Sequence, residues 1–337
     1  MIDYKYIFLL LIFILLHYYR EKFIAYDNEN TSKHYYDMVN QFLINNNNGH
    51  LESLAKNNKP CLWIHIHNDN TIIPSTNQRS WINFYSRNTT NFNQPYQLLT
   101  IKSIIDKCSD DFNICIIDDN SFLKIIPNWT IDISKMANPL KTRMRTLALC
   151  RLLNIYGGLI APSSFVCLRN LKPLYNLCKR NDKLIVGDFV NRTNFNSSIE
   201  QNLVPYLHFM ISEPNNPILL EFISYQESLY SRDFTSDMDF NGKINQWLYT
   251  ANQDEKIEIL DGKYIGTKDK DDNVVIVDDL VSSTLLELHN DSYGLYIPWN
   301  ELIIRTALSW FVYLSVEEVL DSNTNIGKYL LFSITNV

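Results

Sequence analysis

The stretch from Lys141 to Leu174, KTRMRTLALCRLLNIYGGLIAPSSFVCLRNLKPL, decides the fold. Its spacing predicts a helix, a double-glycine stop, a short buried strand, an exposed tip and a second apolar segment. Asn138 suits the N-cap, where a side-chain oxygen accepts an unpaired backbone N–H, and Pro139 suits the first helical position, where a missing N–H costs nothing. Leu149, Leu152, Leu153 and Tyr156 follow the i, i+3, i+4, i+7 spacing of a buried helix face. Gly157 and Gly158 end the helix, since glycine takes the left-handed C′ conformation without a Cβ clash. Leu159-Ile160-Ala161, closed by Pro162, then reads as a buried strand ending at a sheet edge.

Tyr156-Gly157-Gly158-Leu159-Ile160-Ala161, with Leu168-Arg169-Asn170-Leu171-Lys172-Pro173-Leu174 behind it, resembles the sugar-nucleotide-binding core of glycosyltransferases that carry a DXD motif. The pattern is similar to the α-mannosyltransferase-like group and to bacterial capsular polysaccharide synthesis proteins. The resemblance covers residues 59 to 225 and is strongest over 147 to 174. It implies an α/β, Rossmann-like sheet of the GT-A kind flanked by helices. It also implies a nucleotide-sugar donor held with Mn2+ or Mg2+, a glycan acceptor, and a donor site that includes Gly157, Gly158, Ser163 and Ser164. The chain departs from the family at the chemistry. Pro162 and Ser164 stand where the two metal-binding aspartates belong, and the family's helical Ser-Asp and Arg fall on Arg145-Thr146 and Leu149.

A DXD enzyme needs its cation because the leaving nucleoside diphosphate gains charge as the sugar bond breaks. Proline offers no ligand side chain and a serine hydroxyl anchors a metal poorly, so no metal ligand is assigned. Cationic replacement is one repair. Lys141, Arg143, Arg145 and Arg151 cluster near the helix, and arginine pairs with diphosphate bidentately. Arg143 and Arg151 lie roughly 80° apart around a helix axis, so they can serve one donor patch or sit on a solvated face.

The other candidates come from the neighbouring strands. Cys61-Leu62-Trp63-Ile64-His65-Ile66-His67 alternates and is rich in β-formers, which predicts the first strand, with His65 and His67 on one face and His65 a donor-site candidate. Gln97 to Ile105 reads as a helix and Phe112 to Ile117 as a second buried strand ending in Asp118-Asp119-Asn120. An α/β sheet binds ligands outside the carboxyl ends of its strands, so Asp118 and Asp119 are the candidate catalytic carboxylates. A turn-capping role for Asp119 before Ser121-Phe122 fits the same residues.

Leu184 to Asp188 reads as the next strand. Leu203 to Tyr230 follows as strand, proline turn and helix, and Asp237-Met238-Asp239 is a literal DXD placed in a solvated loop. Val274 to Val281 reads as a strand and Trp299 to Tyr313 as an aromatic segment packed on the sheet. Ser315-Val316-Glu317-Glu318 is a capping box opening the last helix.

The 46% hydrophobic and 20% charged fractions belong to a globular chain, and 337 residues can bury a large core. A net charge of −7 argues against a nucleic-acid partner. Six cysteines without a CxxC pair sit mostly in apolar runs, where cysteine packs as a small hydrophobe. Tyr6 to Leu16, YIFLLLIFILL, reads as an uncleaved single-pass membrane anchor within residues 1–26, of uncertain orientation, with a cleaved signal peptide as the rival. Residues 27–60 read as a polar stem with a short helix near Tyr35 to Leu43, and 61–337 as the GT-A-like domain. Two functions compete: a membrane-anchored glycosyltransferase with a degenerate or metal-independent donor site, and a pseudo-glycosyltransferase kept for binding or structure.

Overall fold

Alternating hydrophobic residues with β-branched side chains build the centre of the molecule. The computed structural model describes residues 12, 14–20, 22, 38–39, 41–42, 59–66, 95–190, 203–232 and 237–335. Among these, the elements run β1 (Cys61–His65), α1 (Pro95–Cys108), β2 (Asn113–Ile117), α2 (Phe122–Ile125), α3 (Leu140–Tyr156), β3 (Gly158–Pro162), β4 (Phe165–Cys167) and α4 (Lys172–Asn181). They continue with β5 (Leu184–Val190), β6 (Leu203–Ser212), α5 (Pro217–Tyr230), α6 (Asp237–Gln253), β7 (Ile257–Leu260), α7 (Gly262–Ile265) and α8 (Val277–Val281). The chain closes with β8 (Gly294–Tyr296), α9 (Trp299–Ile304), α10 (Ser309–Val312), α11 (Val316–Asp321) and α12 (Asn325–Thr335).

The main sheet has six strands in the order β2-β1-β3-β6-β5-β7. β1 pairs parallel with β2 and β3, and β5 with β7, whereas β6 runs antiparallel to both its neighbours. The carboxyl ends of β1, β2, β3, β5 and β7 therefore share one edge. Strand alternation feeds two cores. Leu62, Ile64, Ile114, Ile116, Leu159 and Ala161 face α1, the β4–β8 pair and the C-terminal helices, while Trp63, Cys115 and Ile160 face α3, α5 and α6. This is the mixed α/β architecture that the pattern predicts.

Leu149, Leu152 and Leu153 are fully buried on α3, and the Gly157 N–H closes the helix on Leu153 O at 2.8 Å. Gly157 and Gly158 have φ of +65° and +108°, and a Cβ on Gly158 would lie 2.1 Å from Cys61 O. No other residue fits there.

Several boundaries differ from expectation. The N-cap of α3 is Pro139 without a side-chain cap, because the Asn138 carboxamide accepts instead from the Thr142 hydroxyl at 2.9 Å. Asp237 opens α6 rather than a loop: Phe240, Ile244, Leu248 and Ala251 make a buried helical stripe, and the helix runs back from it to Asp237. Val277 to Val281 is a helix, since the Asp279 carboxylate accepts the Ile276 N–H at 3.0 Å and caps it. The Ser315 capping box forms as read, but α12 follows the helix it opens. Leu302, Phe311 and Val312 of the aromatic segment pack into the core. Val39, in the segment read as a stem, is buried, and Phe42 O accepts the Ile116 N–H at 3.1 Å along the edge strand β2. No helix among the described residues is long and apolar enough to cross a membrane. Most of Tyr6 to Leu16 lies outside those residues, as does His67.

Candidate functional site

Three parallel strands deliver side chains to the shared edge: β1 brings His65, β2 leads into Asp118 and Asp119, and β3 ends on Pro162 before Ser163 and Ser164. Asp119 and Arg145 of α3 are both buried and form a two-pronged ion pair. The Arg145 Nε donates to Oδ1 at 2.7 Å and Nη2 to Oδ2 at 2.6 Å. His65 Nε2 reaches the same Oδ1 at 3.1 Å, and its ring stacks on Phe122 with centroids 5.3 Å apart. Burial alone would raise the Asp119 pKa, but the hydrogen bonds from Arg145 and His65 outweigh it and hold the carboxyl well below the usual range. Asp118 takes the turn role: Oδ1 accepts from the Ser121 N–H at 2.8 Å and the Ser121 hydroxyl at 2.7 Å.

The tip after β3 is turned inward. The Ser163 hydroxyl donates to Gln97 Oε1 at 3.2 Å, and the Thr100 hydroxyl donates to Ser163 O. Ser103 Oγ accepts the Cys167 N–H at 2.8 Å. Gln97, Thr100 and Ser103 recur every third residue, so one face of α1 makes a buried polar seam against residues 163–167. Ser164 is fully buried and its hydroxyl has no hydrogen-bond partner.

Between these groups lies a cavity of about 10 Å³, lined by His65, Pro162, Ser163, Tyr206, His208 and Trp299. That is space for roughly one water. Tyr206 and His208 stack at 5.0 Å on β6. Burial, then the nearby His65 and Arg145, pushes the His208 pKa down to about 3, so its imidazole is neutral at physiological pH. Farther along the edge, burial lifts Asp188 on β5 to about 7; Lys268 opposes that rise and Asp261 adds to it.

The remaining candidates sit elsewhere. The Arg143 guanidinium lies 4.2 Å from the Phe240 ring centroid. Arg151 binds Glu227 through Nε at 3.1 Å and Nη2 at 2.5 Å and covers Trp129. Neither lines the cavity. Gly157 and Gly158 are at the amino end of β3, opposite the tip, where they admit Pro214 and the β1 backbone. Gln97, Thr100, Ser103, Tyr206, His208 and Trp299 were not evident as site residues; the three-residue polar spacing on an apolar helix was the available signal.

A DXD-type metal does not fit this set. Pro162 has no donor atom, Ser164 offers a single buried hydroxyl, and both Asp119 oxygens are bound by neighbours. No group of three His, Cys, Asp or Glu residues able to hold a metal occurs among the described residues.

No protein-family model matches the chain, and no curated protein matches it. Among solved structures it is similar to one titled "PaToxG Glycosyltransferase", at 15% identity and a TM-score of 0.30, over 67% of this chain and 78% of that one. So loose a superposition establishes neither a family nor a site.

Proposed function

We propose that the chain is a glycosyltransferase-like protein whose sheet serves as a binding or structural scaffold, and that it does not transfer sugar from a metal-held nucleotide donor. The sequence resemblance around Tyr156 to Ala161 supports the first half of this reading. One observation carries the second: the strand tip that should present two carboxylates is knitted into the core by Ser163–Gln97, Thr100–Ser163 and Cys167–Ser103 hydrogen bonds. The nearby carboxylate that could compensate, Asp119, is neutralised by Arg145. On sequence alone, Tyr6 to Leu16 would tether the protein to a membrane, with a nucleotide sugar and glycan acceptor as partners only if transfer occurs.

The test is turnover. Purified full-length chain, incubated with a panel of nucleotide sugars and Mn2+ or Mg2+, should release no nucleoside diphosphate above the protein-free rate. Release that disappears on Asp119→Asn would overturn the proposal and restore the catalytic reading.

A further inference from the structure

Cys108 ends α1 and Cys167 ends β4; both are fully buried, and their sulfurs are 3.9 Å apart across 59 positions of sequence. Both backbones are anchored: the Cys108 carbonyl accepts the Phe112 N–H at 2.9 Å. The Cys167 N–H is bound by Ser103 of α1, and its carbonyl accepts from the Ser333 hydroxyl of α12 at 2.6 Å. The two thiols thus face each other on rigid elements. We propose that Cys108 and Cys167 are a disulfide-forming pair, a modification site that closes when the chain meets a disulfide oxidant of the glutathione class.

The exchange balances without any other reagent. The Cys108 thiolate attacks oxidised glutathione, forming a mixed disulfide and releasing one glutathione thiolate. The Cys167 thiolate then attacks the Cys108 sulfur, closing the protein disulfide and releasing the second. Two protein thiols are oxidised and one glutathione disulfide is reduced, with both protons passing to solvent or the leaving thiolates. The two thiols are interchangeable in this exchange: attack by Cys167 first gives the same disulfide and the same two glutathione thiolates.

The molecule contains its own control. Cys61 and Cys115 are also buried on neighbouring strands, yet Cys61 is opposite Asn113 and Cys115 opposite Trp63 in a parallel pair. A two-residue offset between neighbouring strands places the Cα atoms about 8 Å apart, beyond disulfide reach. Cys150 and Cys178 are bonded to Gln226 and to backbone carbonyls instead of sulfur. Proximity of thiols therefore predicts one bond, not two.

The bond would fasten α1 to the segment behind the inward-turned strand tip, reinforcing the seam already made by Gln97, Thr100 and Ser103. To test it, full-length chain is held in excess oxidised glutathione, both in buffer and at a denaturant concentration just below its unfolding midpoint, where opening admits the oxidant. It is then alkylated and peptide-mapped without reductant. The expected result is a Cys108–Cys167 linked peptide with the other four cysteines alkylated, and a melting temperature about 5–10 °C higher, absent in Cys108→Ser and Cys167→Ser. Recovery of both cysteines as alkylated thiols in both conditions, or of single glutathione adducts that never resolve, would overturn the proposal. So would a linkage to any other cysteine.

Discussion

Asp119 lies where the sequence places it, just past the carboxyl end of β2, and there it forms a buried ion pair with Arg145. Its location beyond the carboxyl end of β2 was legible, because the strand read from Phe112 to Ile117 ends just before it. Its partner was not, since Arg145 lies 26 positions away and only the packing of α3 against the sheet brings it within 2.6 Å. Removing one member of a buried pair strands the other charge, so Asp119→Ala should cost roughly 3–5 kcal/mol in urea unfolding. Replacing the pair together, Asp119→Leu with Arg145→Met, should recover most of that loss. Asp119's folded pKa is depressed, so its contribution is present above the ordinary carboxylate value of about 3.9 and is lost as pH falls below it. His208 is also depressed, from 6.5 to about 3; the unfolded chain then binds the extra proton, and stability should fall as pH drops from 6.5 toward 3. Asp188 has the opposite sign. Its pKa is raised from 3.8 to about 7, so it disfavours folding progressively as pH rises through that interval. Asp188→Asn should therefore raise the melting temperature at pH 8 and leave it unchanged near pH 3, whereas His208→Gln should flatten the acid limb between pH 6.5 and 3.

Helix α3, the glycine pair and β3 were readable because each follows from local chemistry: an apolar stripe, a left-handed stop and a short β-branched run. The misread elements failed for non-local or side-chain reasons. Val277 to Val281 has strand-like composition, but Asp279 caps it into a helix; Asp237-Met238-Asp239 looks like a loop until the stripe from Phe240 to Ala251 is followed backward. The polar spacing on α1 hinted at a seam, but what it bonds to was not legible because those partners lie about 60 residues away, past β2 and α3. Two glycine substitutions separate packing from propensity. Gly158→Ala places a Cβ 2.1 Å from Cys61 O at a φ of +108° and should abolish the cooperative melt or lower its midpoint by many degrees. Gly242, inside α6 with nothing within 4 Å of an added Cβ, is the converse: Gly242→Ala should gain about 0.5–1 kcal/mol, measured by the same denaturation curve.

The whole molecule keeps the α/β sheet expected from its sequence, and at the edge where the strands' carboxyl ends meet, the described side chains bond to one another. Carboxyl ends of five parallel strands meet there, yet Asp119 is paired with Arg145 and hydrogen-bonded to His65, and the β3 tip is bonded to α1. The most direct measurement is a thermal melt of the full-length chain with each nucleoside diphosphate, with and without Mn2+. A ligand at 100 times its dissociation constant adds about 2.7 kcal/mol, which such a melt resolves. The account predicts that no diphosphate raises the melting temperature further when Mn2+ is added. A Mn2+-dependent rise with any one of them would mean that this edge still holds a metal–diphosphate pair, and would contradict the account.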